Sequence, residues 1–232
     1  THAGGFSVLN QRTKQIETYH SHNSKLNEDN VYSIVPVGDG TLWIATLSAL
    51  FKFDPRSKQL QLFEKEIDGT PLRSKRITLL YRDTNTRLWM GGDEGLTVYN
   101  QADGQLSAAR VIPDSLPVHH AFVNSVYEAR NGIFWIGTRE GVYGYDERKG
   151  VMKHYTTANI LPNNVVYGVL EDTFGRLWMS TNKGLSCFDP DTEKFRNFTE
   201  SDGLQSNQFN SYSYCRTSSG QMYFGGIDGI TT

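Results

Sequence analysis

All four tryptophans of the chain fall in one frame. Trp43, Trp89, Trp135 and Trp178 stand 46, 46 and 43 residues apart, and Tyr223 follows 45 residues after Trp178. A glycine stands three residues before the aromatic in four cases, Gly40, Gly132, Gly175 and Gly220, with Thr86 the exception. The residue on either side of the aromatic is apolar, as in Leu42 and Ile44 or Phe134 and Ile136. Small residues follow, and then Gly95, Gly141, Gly184 or Gly229, with Ala49 in the first copy. Self-similarity at a period of roughly 40–50 residues restricts a chain to architectures in which each unit buries its faces against its neighbours.

Within each unit the apolar pattern breaks into four short runs separated by turn residues, which predicts four strands. The first runs are Val31–Val37, Ile77–Arg82, Val123–Glu128, Val166–Glu171 and Ser211–Cys215. The second carries the Trp. The third runs are Leu50–Asp54, Leu96–Asn100, Val142–Asp146 and Leu185–Asp189. The fourth ends on Phe63, Tyr155 or Phe198, while the second unit has Ala109 there and is the irregular one. Residues Thr1–Tyr19 match a third and fourth strand, with Asn10 where Asp54, Asp146 and Asp189 stand. Gly supplies the positive φ that the first hairpin turn needs.

Four short strands per unit of this length are the mark of an all-β chain of β-propeller blades. The reading is five blade repeats of four antiparallel strands in one domain, 1–232, centred on Trp43, Trp89, Trp135, Trp178 and Tyr223. These five aromatics are structural and pack one blade on the next. The repeats could close a five-bladed ring or form part of a larger one, with seven blades and continuation outside this chain as the expectation.

Composition narrows the function. A net charge of −2 offers no bulk attraction for nucleic acid or an anionic membrane. No apolar run is long enough to span a bilayer. Two cysteines, Cys187 and Cys215, cannot build a disulfide framework or a Cys-rich zinc site. Neither a phosphate-binding glycine loop nor a nucleophile elbow occurs. His119-His120 is the only local metal-like pair, and neighbours on an extended chain point apart. Glu171-Asp172 and Asp39 read as turn and surface carboxylates. The expectation is therefore a segment with no catalytic residues, no metal and no cofactor.

Binding residues belong on loops held by a rigid scaffold. The loops after the second and fourth strands share one end of the sheets and vary while the strands do not. The candidates there are Arg73, Arg76, Asp93, His119, His120, Arg139, Glu140, Asn163, Asn182, Lys183 and Asn207. Their planar polar groups match sugar hydroxyls, which both donate and accept. Phe122 is an aromatic that could stack on a ring or pack beneath the loop.

Three runs carry a family resemblance. Asn30-Val31-Tyr32-Ser33-Ile34, Gly175-Arg176-Leu177-Trp178-Met179-Ser180-Thr181-Asn182-Lys183-Gly184-Leu185 and Phe188-Asp189-Pro190 resemble the two-component regulator propeller repeat. Asp202–Asn210 with Tyr223–Gly229 resembles the final repeat of such arrays. No Trp is followed by Asp, so the WD pattern is absent. The resemblance implies the periplasmic sensor region of a hybrid two-component histidine kinase anchored in the inner membrane. It implies an oligosaccharide or related small ligand, a homodimer in the parent receptor, and membrane contact only through the parent chain. The alternatives are a protein-interaction scaffold and, third, a propeller lyase or hydrolase seeded by His119 and Glu140.

Overall fold

The computed structural model describes residues 3–63, 76–93, 95–102, 105–108, 112–113, 116–159 and 161–232. Its contacts fall into two compact units, Thr1–Arg110 and Val111–Thr232. The boundary follows the repeat whose fourth strand departs from the sequence pattern.

The first unit opens with the hairpin β1 (Phe6–Leu9) and β2 (Ile16–Tyr19). Next comes a sheet of β3 (Val31–Pro36), β4 (Leu42–Thr46), β5 (Leu50–Asp54) and β6 (Gln59–Phe63). A second sheet holds β7 (Ile77–Arg82), β8 (Leu88–Gly92), β9 (Gly95–Ala102) and β10 (Gln105–Ala108). The second unit begins with the sheet β11 (Val123–Glu128), β12 (Ile133–Thr138), β13 (Val142–Asp146) and β14 (Val151–Tyr155). It continues with β15 (Val166–Glu171), β16 (Leu177–Thr181), β17 (Gly184–Asp189) and β18 (Lys194–Phe198). Its last sheet is β19 (Phe209–Arg216), β20 (Met222–Gly226) and β21 (Gly229–Thr231). Every pairing is antiparallel and sequential, so each sheet is the meander of a propeller blade.

Sequence and structure differ by a single residue at the end of β3 and the start of β17, and by more in two other strands. The third strand of the second blade extends to Ala102, and its partner β10 ends by pairing Ala108 with Tyr99. Ala109 lies outside the described residues. The first strand of the last blade is Phe209–Arg216 rather than Ser211–Cys215. Its register jumps between Phe209 and Tyr214, with Tyr212 at φ +60°. The other first strands slip by a single residue, as between Val123 and Ser125. The last one carries a larger irregularity that the apolar pattern hides.

The hairpin turn between first and second strands explains the repeated glycine. Gly40, Gly132, Gly175 and Gly220 lie at φ +91°, +79°, +84° and +91°. Each such turn is closed by a bond across its base, as from Ala129 N to Ile133 O at 2.9 Å and from Asp172 N to Arg176 O at 2.9 Å. Thr86 keeps the same turn at φ +65°, a left-handed conformation that its β-branch disfavours. In the hairpin between third and fourth strands, Asn10, Asp54, Asp146 and Asp189 each accept a backbone N–H two residues on, at 2.8–3.1 Å. That Asx turn is why an Asn or Asp recurs there.

The cores form between sheets. Trp43, fully buried, shares one cluster with Ile77, Leu80, Leu88 and Met90 of the following blade. Trp135 shares another with Leu161, Val166, Val169, Leu177, Met179 and Phe188. The aromatic ending the fourth strand packs against the Trp of its own sheet, edge to face for Phe63 and stacked for Phe198. Ring centroids are 5.4 Å apart for Trp43 and Phe63 and 5.3 Å apart for Trp178 and Phe198. Trp43 and Trp135 thus each lie in a core cluster shared with the blade that follows.

Candidate functional site

The strands hold two loop sets at one end, and the candidate residues divide between recognition and scaffolding. Arg139 follows β12, and Phe122 precedes β11. The Arg139 guanidinium lies 3.7 Å from the Phe122 ring centroid, and its backbone N–H donates to the Phe122 carbonyl at 3.2 Å. The ring face of Phe122 is thus covered by Arg139, a cation–π contact that presents the guanidinium on the loop surface. Glu140 is exposed beside it. The Glu140 carbonyl meets His154 Nε2 at 3.0 Å, and the His154 ring stacks on Tyr143 with centroids 4.0 Å apart and planes 5° from parallel. Burial, and then the Glu140 charge, hold the Tyr143 hydroxyl above the ordinary phenol range. Arg139, Glu140, Tyr143 and His154 therefore form one polar and aromatic cluster at the loop end of the third blade.

Asn182, in the turn after β16, accepts a bond from the Tyr167 hydroxyl at 2.8 Å. Its amide nitrogen and the neighbouring Lys183 complete a second polar cluster on the next blade. Three other candidates shape loops. Asn163 accepts from Val165 N at 2.8 Å, forming an Asx turn. Asn207 accepts from Glu200 N at 2.8 Å, and its carbonyl takes the Gly184 N–H at 2.7 Å. His119 is buried, with Nε2 at 3.1 Å from the Pro113 carbonyl. The His119-His120 pair occupies a short 3-10 turn, Pro117–His120, rather than an extended strand, and the two rings still part company: His120 is exposed. In the first unit Arg76 and Asp93 form an ion pair at 3.8 Å. Arg73 lies outside the described residues.

Tyr143, His154 and Tyr167 escaped the sequence reading because they stand in strands, where the frame assigns packing. A signal was present for Tyr167. It precedes Gly168, against which the Tyr214 ring lies so close that a Cβ would collide. The residues about Gly168 therefore alternate between packing and loop-end roles.

Glu171 and Asp172 are not surface carboxylates. Glu171 and Asp172 are both buried, and Glu171 accepts from the Arg130 backbone and guanidinium, each at 3.1 Å. Asp172 brackets its own tryptophan. One oxygen accepts from Phe174 N at 2.8 Å and Arg176 N at 3.0 Å, the other from Arg176 Nε at 2.7 Å and Trp178 Nε1 at 3.0 Å. Burial pushes this carboxyl up, but the bonds from Trp178, Arg176 and Phe174 outweigh it and leave it below the usual range. Asp83 repeats the arrangement with Arg87 Nε at 2.6 Å and Trp89 Nε1 at 2.8 Å. These carboxylates are structural.

Among the described residues no group of three His, Cys, Asp or Glu side chains could hold a metal ion. Among the described residues no helix is long and apolar enough to cross a membrane.

Comparison with known proteins agrees with this geometry. A family model described as the two component regulator propeller matches residues 25–48, 118–140 and 160–183. A protein named histidine kinase P4, from Formosa agariphila, is 27% identical over 99% of this chain and 18% of its own length. The extracellular domain of a protein described as the hybrid two-component system BT3049 of B. thetaiotaomicron superposes with a TM-score of 0.78 at 25% identity, over 99% of this chain and 31% of that one. A second extracellular domain from the same organism, of BT4673, shares the fold with a TM-score of 0.75 at 22% identity, covering 98% of this chain and 30% of that one. The chain thus spans between about a fifth and a third of the length of these relatives.

Proposed function

From these similarities we infer that this chain is a member of the two-component regulator propeller family and a ligand-sensing segment of a hybrid two-component sensor. The parent receptor is periplasmic on its sensing side and passes the signal to a kinase module in the same polypeptide. The observation that carries this reading is the similarity, along nearly all of the chain, to the extracellular domain of a hybrid two-component system. The ligand is an oligosaccharide or a related polyhydroxylated molecule, and the segment works within a homodimer. Nucleic acid has no part in it, since the chain carries a net charge of −2.

Recognition falls to the loop end of the third and fourth blades. Arg139, Glu140 and His154 supply donors and an acceptor beside an aromatic stack, and Asn182 and Lys183 supply an amide and an ammonium. Such groups fix sugar hydroxyls by direction, while the ring edges cover apolar sugar faces. The ligand signals by binding one arrangement of the receptor better than another, since only differential affinity shifts an equilibrium.

Calorimetric titration of the whole exported region of the parent protein with a panel of oligosaccharides tests this, together with an assay for cleavage of any bound sugar. Saturable binding without turnover, weakened by Arg139→Ala and Asn182→Ala, is expected. Turnover of the sugar would replace the sensor reading with a lyase or hydrolase. Self-association with no glycan binding would replace it with an interaction scaffold.

A further inference from the structure

The other ends of the same strands hold a feature that the sensor reading leaves unused. A cleft of about 190 Å3 opens between the third and fourth blades. Ile133, Trp135, Gly144, Tyr155 and Phe188 floor it. Asp146, Lys149, Lys153 and Glu193 stand on its rim.

The chain's own repeats state what normally sits beside the indole at this place. In the second blade the Arg87 guanidinium lies 5.8 Å from the Trp89 centroid, tied to Asp83. In the fourth, Arg176 lies 5.9 Å from Trp178, tied to Asp172. In the first, Lys52 is the cross-strand partner of Trp43 and reaches Asp39 at 3.2 Å. Each of these tryptophans thus has a cation of its own chain beside it, with a carboxylate to hold that cation.

The third blade has lost all three devices. Ile133 stands where Arg87 and Arg176 stand, Ala129 where Asp83 and Asp172 stand, and Gly144 where Lys52 stands. Trp135 Nε1 is buried and meets no acceptor among the described residues. Two carboxylates remain nearby, but on the rim. Asp146 is held by Lys149 at 3.3 Å and Arg148 at 3.6 Å, and Glu193 by Lys153. The side chains of Lys149, Arg148 and Lys153 are 75%, 72% and 60% exposed, so the cationic partners of these pairs are solvated and weakly held.

The geometry points to this cleft as a binding site for a guanidinium group on a short aliphatic stem, an arginine-like cation supplied from outside the chain. The stem lies along Ile133 and the rings, so that the guanidinium reaches the cleft that the longer Arg side chain covers in the neighbouring blade. The planar fork engages the rim carboxylates, displacing compact ammonium groups that match a carboxylate less well. A cation against an aromatic floor gains further attraction once desolvated. The site lies at the strand ends away from the recognition loops and does not depend on the sensor reading.

Four tryptophans give four indole N–H cross-peaks in a 15N–1H spectrum, and Trp135→Phe assigns the one from the cleft. Titration of the 232-residue chain with ethylguanidinium chloride is expected to move the Trp135 peak saturably and leave the other three in place. Sodium chloride at equal ionic strength should move none. Glu193→Gln, an exposed change that leaves the core intact, should weaken binding by about tenfold. The double variant Ala129→Asp with Ile133→Arg installs the chain's own cation and should abolish the shift. A still Trp135 peak, equal movement of all four peaks, or unchanged affinity in Glu193→Gln overturns the assignment.

Discussion

Trp135 and Trp178 hold the same place in adjacent blades of one unit, yet they are secured differently. Trp178 is tied by its N–H to Asp172, which also grips Arg176 and two backbone amides. Its ring stacks on Phe198. Trp135 has Ala129 where that carboxylate would be, and only packing holds it. Its ring lies against Tyr155 and Phe188, with centroids 6.1 and 5.3 Å away, and presses on Gly144, where a Cβ would meet the indole at 3.0 Å. One blade spends polar groups to orient an indole near the surface, and the other buries the indole and leaves its N–H unpaired. A single repeat therefore tolerates two solutions, polar bracketing and apolar enclosure, provided the ring still fills the gap between sheets.

The largest effect should come from removing the enclosed ring. Trp135→Ala is expected to cost about 4 kcal/mol through the cavity left among Val166, Leu177 and Phe188. Urea unfolding followed by the remaining tryptophans measures it, and a loss under about 1 kcal/mol would mean that the gap collapses.

Breaking the bracket comes next. Asp172→Ala should cost about 3 kcal/mol, because it strands the Trp178 N–H and two backbone donors together. The pH dependence has a definite sign. The folded pKa of Asp172 lies below its ordinary value, so its stabilisation is present above the unfolded pKa, about 3.9, and is lost as pH falls through the folded value. Wild type should lose stability in that acid range more steeply than Asp172→Ala. Equal slopes would remove Asp172 from the account.

Replacing each indole by phenyl separates the two solutions. Trp178→Phe leaves Asp172 short of a donor and should cost about 2 kcal/mol, whereas Trp135→Phe relieves an unpaired buried N–H and should cost about 1 kcal/mol. If the order reverses, the hydrogen bond to Asp172 does not orient Trp178.

The smallest change is a gain. Thr86→Gly restores the residue that the other four first hairpin turns use and should stabilise the chain by about 1 kcal/mol. A loss would show that the Thr86 side chain makes a contact worth more than its strain.

The tryptophan frame made the blades legible. Three first strands, Ile77–Arg82, Val123–Glu128 and Val166–Glu171, were read to the residue, because strand boundaries coincide with turn glycines and Asx positions whose chemistry is local. The irregular register of β19 was not legible, since extra residues inside an apolar run leave the alternation intact on either side of the break. The candidate site was legible only as a list. Asn163, Asn207 and Arg139 all stand on the expected loops, but nothing local distinguishes an Asn that closes a turn from one that offers its amide to a ligand. Asp172 was misread for the converse reason: beside a turn it looks like a surface residue, and its burial depends on Arg176 and Trp178 folding over it.

By itself the sequence determined the repeat, the number and order of strands in most blades, and the turns that join them. These are set by periodicity and by backbone preferences that act over a few residues. Only the tertiary structure decided which polar groups hold loops and which face outward, that Arg139 covers Phe122, and that a cleft opens beside the indole of the third blade. Those outcomes depend on distances between residues far apart in the chain, which the packing of whole sheets brings together.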